Sequence, residues 1–417
     1  MSTKGIEIMA PVGSYESLMA AIQGGADSVY FGVGNLNMRS RSSSQNFSVD
    51  DLQEICDRCK AHNVRTYLAL NTIIYDHELA EMRTLVDEAM KQGISAIIAA
   101  DLSVILYAHS VGMEVHMSTQ TNISNTDAVR FFSQYADVIV LARELNLTQV
   151  KAITDSIKQE NITGPNGKLV QIEMFAHGAL CMAISGKCYL SLDTYGPKAS
   201  GNRGSCYQLC RRPYQVFDRD REIELAIDHE YIMSPKDLKT IEFLDQMLNA
   251  GVVVLKIEGR GRSADYVKTV TQCYKEAVQA WADDDYTQEK INNWNIRLKS
   301  VFNRGFWEGY YLGRKMGEWA ELYGNRATRI KKYIGTITNY FSKLKVAEIK
   351  LETDALHVGD DLVIIGPTTG VVDYHVEEIR VDYKSADTAA KGVSCSIPSE
   401  EFLRRSDKVY KLIRPEL

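Results

Sequence analysis

Val252-Val253-Val254-Leu255-Lys256-Ile257, followed by a helical pattern from Ala264 to about Ala282, is the stretch on which the fold turns. A β-branched run leads directly into an amphipathic helix, and the same unit recurs through the first half of the chain. Strand-like runs fall at 6–10, 28–33, 64–70, 96–100, 114–118, 138–141 and 170–175. Between them lie helical patterns at 15–23, 49–62, 79–92, 126–135 and 147–157; Ser48 is the expected N-cap of the second, and Gln92-Gly93 stops the third. Such alternation argues a parallel sheet. Seven strands, an irregular insertion and the unit at 252–282 predict an α/β fold, a (β/α)8 TIM-like barrel over residues 1–285. A dinucleotide fold would place Gly-x-Gly-x-x-Gly after the first strand, whereas the nearest glycine pair, Gly32-Val33-Gly34, ends the second.

Beyond Asp283-Asp284-Asp285 an aromatic, basic helical connector is expected over 286–332. The final residues, 333–417, change to short strands separated by loops such as Gly366-Pro367-Thr368-Thr369-Gly370, which predicts a small C-terminal antiparallel β-barrel domain. The 417 residues are 45% hydrophobic and 24% charged, which excludes disordered and fibrous classes. A net charge of −6 excludes a generally basic nucleic-acid coat but leaves room for local basic patches. No apolar run approaches the roughly 18 residues of a membrane span, and no signal-type segment follows Met1, so a soluble, cytoplasmic protein without a membrane partner is expected.

Four of the eight cysteines crowd one window, spaced Cys181-x6-Cys188-x17-Cys206-x3-Cys210. The x6 gap is poor for a zinc ribbon, which pairs close knuckles. Four thiolates on an irregular, glycine-rich segment suit an iron–sulfur cluster, and buried packing of an insertion is the third alternative. Cys56 and Cys59 form a C-x2-C pair, but Leu52, Ile55, Cys56 and Cys59 share one helix face, so core packing is expected. Cys273 and Cys395 are read the same way.

The surroundings of the window carry more. Glu173-Met174-Phe175-Ala176-His177-Gly178-Ala179-Leu180-Cys181, Ser185-Gly186-Lys187-Cys188 and Gly201-Asn202-Arg203-Gly204-Ser205-Cys206-Tyr207-Gln208-Leu209-Cys210-Arg211 closely resemble the signature of the collagenase-like peptidase family U-32. Ala10-Pro11-Val12-Gly13-Ser14, Ser118-Thr119-Gln120, Arg143-Glu144-Leu145, Met233-Ser234-Pro235-Lys236-Asp237-Leu238 and Leu255-Lys256-Ile257-Glu258-Gly259-Arg260 agree with it. The resemblance spans about residues 6–314, and the tail resembles the C-terminal domain of longer members. It implies that Cys181, Cys188, Cys206 and Cys210 ligate a 4Fe-4S cluster, at an insertion of 177–212. It further implies oxygen-independent hydroxylation, the tail favouring the branch that converts tRNA wobble uridine to 5-hydroxyuridine, with prephenate as the hydroxyl donor. A paralogous or homo-oligomeric partner is also implied. The family label itself keeps a peptidase as the alternative, beside a cluster-bearing partner protein of another hydroxylation complex.

Barrel enzymes carry their chemistry at the C-terminal ends of strands. Read that way, Glu173, His177, Glu258 and His116 are the catalytic candidates, and Asn71, Ser118 and Gln120 are substrate contacts. A dicarboxylate needs guanidinium forks, for which Arg143, Arg203 and Arg260 are available. RNA would be held by Arg211, Arg212, Arg329, Lys331 and Lys332, with Tyr323 and Tyr333 to stack on bases. Proteolysis requires a nucleophile with a base, or a metal with an activated water. His229-Glu230 lacks the second zincin histidine, Gly-x-Ser-x-Gly is absent, and a Cys–His pair would compete with cluster ligation for Cys181.

Overall fold

The computed structural model describes residues 5–39, 46–215, 231–313, 318–321 and 324–415. His229-Glu230 and Tyr323 lie outside the described residues.

Eight parallel strands close into a barrel: β1 (Glu7–Pro11), β2 (Ser28–Phe31), β3 (Arg65–Leu70), β4 (Ala96–Ala99), β5 (Val115–Met117), β6 (Val138–Val140), β7 (Gln171–Gly178) and, after the short β8 (Asp237–Lys239), β9 (Val254–Ile257). Closure runs through β9, which pairs in parallel with both β1 and β7. The opening hexapeptide is thus the strand that seals the barrel, although its first two residues precede the ladder. The strands are nearly continuous apolar runs because both faces are covered. One face packs beneath α1 (Tyr15–Gln23), α2 (Asp51–Ala61), α3 (Leu79–Lys91), α4 (Leu102–Ser110), α5 (Thr126–Phe132), α6 (Leu147–Gln159), α8 (Leu244–Asn249) and α9 (Ala264–Ala282). The other fills the interior with Met9, Tyr30, Tyr67, Ala96, Ile98, Val138 and Val254. Cys56, Cys59 and Cys273 are buried in the helical layer, and Cys395 in the tail.

Three local expectations change. Ser48 does not cap α2; that helix follows Asp50, and the Ser48 N–H and hydroxyl both donate to Asp51 Oδ2 at 2.7 Å. The connector is not purely helical. After α10 (Gln288–Ser300) it supplies β10 (Phe306–Trp307), which pairs with β8 on the edge of the barrel sheet. The tail begins at Ile330, inside that expected connector, where β11 (Ile330–Phe341) starts.

The tail is an antiparallel sheet in which β11 lies between the strand Lys408–Ile413 and β12 (Val346–Leu351), eight strands in all, beside a two-stranded ladder. It has its own apolar core around Ile334, Ile349, Leu362 and Ile397. Val363 and Val371 belong instead to the core of the barrel. Gln23 of α1 donates to Thr369 O and accepts from Val371 N–H, both at 2.9 Å, and Lys268 of α9 pairs with Asp373 at 2.8 Å.

Between β7 and β8 the chain leaves the barrel to form the cysteine insertion, whose regular pieces are α7 (Leu190–Tyr195) and short 3-10 turns. Two glycines make this departure sterically feasible. Gly178 has φ +108°, and a Cβ there would lie 2.4 Å from Glu258 O. Gly186 has φ +79° and rests against Gln120 and Met38, seating the insertion on the barrel mouth.

Candidate functional site

A cavity of ≈ 320 Å³ opens at the C-terminal mouth, between the strand ends and the insertion. Asn71, Ser118, Gln120, Arg143, Glu258 and Arg260 line its barrel side, and Cys181, Cys188, Cys206 and Cys210 its other wall. Residues separated by up to 274 positions, Tyr30 and Arg304, are brought together here by barrel closure. Asn71 Nδ2 donates toward Gln120 Oε1 at 3.4 Å and toward Ser118 Oγ at 3.5 Å, and the Ser118 hydroxyl donates to Gln120. The three form one polar strip along the wall.

Glu258 is the only carboxylate on the cavity wall among the described residues. It pairs with Arg39 at 2.7 Å and accepts from the Tyr30 hydroxyl at 3.0 Å. Burial alone would raise its carboxyl, but the charges of Arg39, Arg143 and Arg260 override that and hold it at about 2. An acid that strong is ionised at neutral pH and is a poor proton acceptor, so its work is to anchor guanidinium groups. Arg143 lies on the Phe175 ring at 3.6 Å and donates to Ala179 O at 3.2 Å, while its buried Nε has no hydrogen-bond partner among the described residues. Arg260 is buried and donates to Asn37 Oδ1 at 3.2 Å.

Several expected site residues lie elsewhere. Strand parity puts His177 on the same face as Glu173, but a register shift between Phe175 and His177 intervenes where β7 pairs with β9. His177 is buried among Tyr266 and Tyr274 of α9 and Phe306 of β10. Burial, with Lys239 and Arg262 adding to it, pushes its imidazole down to about 3. Glu173 and His116 point into the barrel beneath the cavity floor, both with no exposed surface. His116 Nε2 lies 2.9 Å from Glu114 Oε1, and its Nδ1 faces Glu173 Oε2 across 4.0 Å. None of these three lines the cavity, which corrects their placement at its mouth.

The basic residues are largely engaged. Arg203 is clamped on Glu78, donates to Ile73 O, and lies over the Tyr75 ring at 4.4 Å, so it is not an open fork. Arg211, on the cavity wall, donates to Leu180 O at 2.6 Å, to Ser234 Oγ at 3.0 Å and to Pro235 O, bracing the insertion. Lys331 pairs with Asp265 of α9, Lys332 pairs with Asp354 at 2.8 Å, and Tyr333 donates to Glu352 at 2.7 Å. Arg212 and Arg329 are exposed.

Reading the strand ends leaves out Arg39, Arg262, Arg304 and Lys256, all on the cavity wall. Lys256 carried a signal, being the lone charge inside Val254-Leu255-Lys256-Ile257. Arg262 continues the every-second-residue series Glu258, Arg260. Arg39 sits in a loop whose sequence announces nothing.

The four insertion cysteines present the soft sulfur donors of a metal-ligand sphere. All four thiols are free, open onto one cavity, and lie close enough that Cys181 and Cys210 each feel the charge of their cysteine neighbours. Among the described residues, no three Cys, His, Asp or Glu side chains close around a point that one metal ion could take. Thiolate sulfur is the donor that iron–sulfur clusters take, so these four side chains are chemically compatible with one.

The fold and site define an α/β-barrel protein with a thiol-walled, arginine-rich mouth. The chain belongs to peptidase family U32, whose model matches residues 13–321. It is 55% identical over 416 residues to a collagenase of Porphyromonas gingivalis, covering 100% of both chains. It is 29% identical over 385 residues to a tRNA hydroxylation protein of Bacillus subtilis, covering 90% of this chain and 87% of that one. Over 281 residues it is 34% identical to a 23S rRNA 5-hydroxycytidine synthase of Escherichia coli, covering 67% of this chain and 40% of that one. Among the described residues no helix is long and apolar enough to cross a membrane.

Proposed function

We propose that this chain is an iron–sulfur RNA-modifying enzyme that hydroxylates tRNA wobble uridine to 5-hydroxyuridine without oxygen, using prephenate as the hydroxyl source. The observation that carries the reading is the composition of the cavity, where four free thiols face a wall of arginines and, among the described residues, no histidine takes part. Cys181, Cys188, Cys206 and Cys210 would hold a 4Fe-4S cluster. Bound there, the cluster supplies one-electron chemistry next to the substrate.

The chain's own residues do the binding. Arg143 and Arg260 offer guanidinium groups to the carboxylates of a dianion, and Glu258 fixes Arg39 beside them. Lys256 adds an ammonium at the cavity floor, and the Asn71, Ser118 and Gln120 strip offers hydrogen bonds to a base edge or hydroxyl. The relatives named for tRNA and rRNA hydroxylation support the same substrate class.

A peptidase is the second reading, favoured by the name of the 55% identical relative. His116 and His177 are sealed away from the cavity cysteines, so a Cys–His nucleophile has no base among the described cavity residues. Nucleoside analysis of tRNA from a strain lacking this chain tests the proposal. Loss of 5-hydroxyuridine derivatives, restored by the intact chain, is expected. Unchanged nucleosides, together with collagen cleavage that a cavity substitution abolishes, would replace it with the peptidase.

A further inference from the structure

Ionisable side chains run through the barrel interior from the cavity floor toward its opposite end. Barrels of this class normally fill that space with layers of branched apolar side chains. Here Met9, Ile98, Val138 and Val254 share it with Lys256, Glu173 and His116, all buried. Lys256 Nζ, on the cavity wall, lies 2.6 Å from Glu173 Oε1. Glu173 Oε2 faces His116 Nδ1 at 4.0 Å, and His116 Nε2 lies 2.9 Å from Glu114 Oε1. Glu114 stands just before β5, at the N-terminal end of the barrel, where Arg65 donates to both of its oxygens at 2.9 Å.

The middle of this line is a proton short. His116 Nδ1 and Glu173 Oε2 are both buried, and neither has a hydrogen-bond partner among the described residues. A neutral imidazole has one N–H and one lone pair. With its proton on Nε2, the bare Nδ1 meets the Glu173 carboxylate. With the proton on Nδ1, the bare Nε2 meets Glu114. Only the imidazolium donates on both sides, and a shift of about 1 Å brings Glu173 into hydrogen-bond range. The charges around the ring agree. Glu7 and Glu114 share Arg65, and Glu173 has Lys256, so three carboxylates face two cations. Asp137, just before β6, also feels the charge of His116 and adds a further acid. The Tyr67 ring, with its centroid 4.5 Å from that of His116, covers the imidazole, and its hydroxyl donates to Glu7 at 2.8 Å.

We propose that His116 is a sealed proton store for Lys256, connected to it through Glu173 and held in place by Glu114. Lys256 gives a proton to an oxyanion formed in the cavity and becomes a neutral amine. The Nδ1 proton of His116 passes to Glu173 Oε2, the carboxyl group turns, and that proton passes to Lys256, which regains its charge. His116 is left neutral, with its Nε2 N–H still on Glu114. A proton released into the cavity later in the turnover returns by the reverse steps. Glu173 and His116 are thus positioning residues that act through Lys256. This rests on the cavity being the reaction site and deepens that reading.

The test is ring-15N NMR of histidine-labelled full chain prepared without oxygen, with His116→Gln identifying the His116 signals. Both His116 nitrogens should read as N–H in the parent, and Glu114→Gln should leave only one. A single N–H in the parent overturns the store, whatever reaction the cavity runs. In tRNA hydroxylation, His116→Gln should lower kcat by roughly 100-fold or more, the usual worth of a proton-transfer group. Its KM for the hydroxyl donor and its iron content should match the parent. Glu114→Gln, a change at a partly exposed side chain, should lower kcat in the same way and serves where His116→Gln does not fold. If the parent hydroxylates tRNA and the folded variants keep its kcat, the store is overturned while the functional reading stands. If the doubly protonated ring is seen but tRNA is left unmodified, the functional reading falls and the store remains.

Discussion

Glu173 of β7 and Lys256 of β9 form an ion pair of 2.6 Å inside the barrel, with the carboxylate fully sealed from solvent and the ammonium reaching the cavity floor. Removing one partner of such a pair strands the other charge. Glu173→Gln is therefore expected to destabilise the fold by about 3–5 kcal/mol in urea unfolding at neutral pH. Adding Lys256→Met should recover most of that loss. A single variant as stable as the parent would show that Lys256 finds water without Glu173.

Acid should weaken the fold through His177 before it reaches the carboxylates. Its folded-state value is about 3 against an ordinary 6.5, so the unfolded chain binds the extra proton first. That contribution is intact above about pH 6.5 and is lost as pH falls toward 3, with a total on the order of a few kcal/mol. Glu258, held at about 2 against 4.5, adds the same sign of dependence at lower pH. Equilibrium unfolding at a series of pH values should show a shallower decline between pH 6.5 and 4.5 for His177→Phe. An identical slope would place the sensitivity in another group.

Iron should track the insertion cysteines alone. Anaerobically purified protein is expected to be brown, with about four irons per chain by the ligation rule for this cluster type. Serine at Cys181, Cys188, Cys206 or Cys210 should lose both iron and colour, because a hydroxyl is a harder and weaker ligand. Cys273→Ser, in the core of α9, should keep them. Stoichiometric zinc without iron would dismiss the cluster.

Arg143 should act on the affinity for the anionic co-substrate. Its fork rests on Phe175 with a buried Nε unspoken for among the described residues. Lysine keeps the charge and loses the planar donors. Arg143→Lys is expected to raise KM for prephenate by roughly 10- to 100-fold, the worth of a charge-assisted hydrogen bond, with unchanged iron. Unchanged KM would move the anion to Arg260 and its neighbours.

Truncation of the tail should disturb the barrel. Val363 and Val371 complete the barrel's own core, and Gln23 spans the junction with two hydrogen bonds. Gln23→Ala should cost about 1–2 kcal/mol, and deleting residues 330–417 should lower the melting temperature of the remainder. A truncated barrel that melts like the full chain would establish two independent units.

The local sequence was enough for the barrel. Apolar runs of strand length alternating with amphipathic helices are properties of neighbouring residues, and eight of them close in one way. The cysteine window and the change of character at the tail were legible for the same reason. What each polar side chain faces was decided only by the tertiary structure. Parity along β7 points His177 inward, and one register shift turns it toward α9. Arg203 reads as an open fork until Glu78, 125 residues earlier, is folded against it. Lys331 reads as an RNA contact until Asp265 of the barrel claims it. Glu258 reads as a catalytic candidate until Arg39, Arg143 and Arg260 converge from distant parts of the chain and hold it ionised. Periodicity is written over a few residues, whereas charge pairing and burial depend on groups that only barrel closure brings within reach.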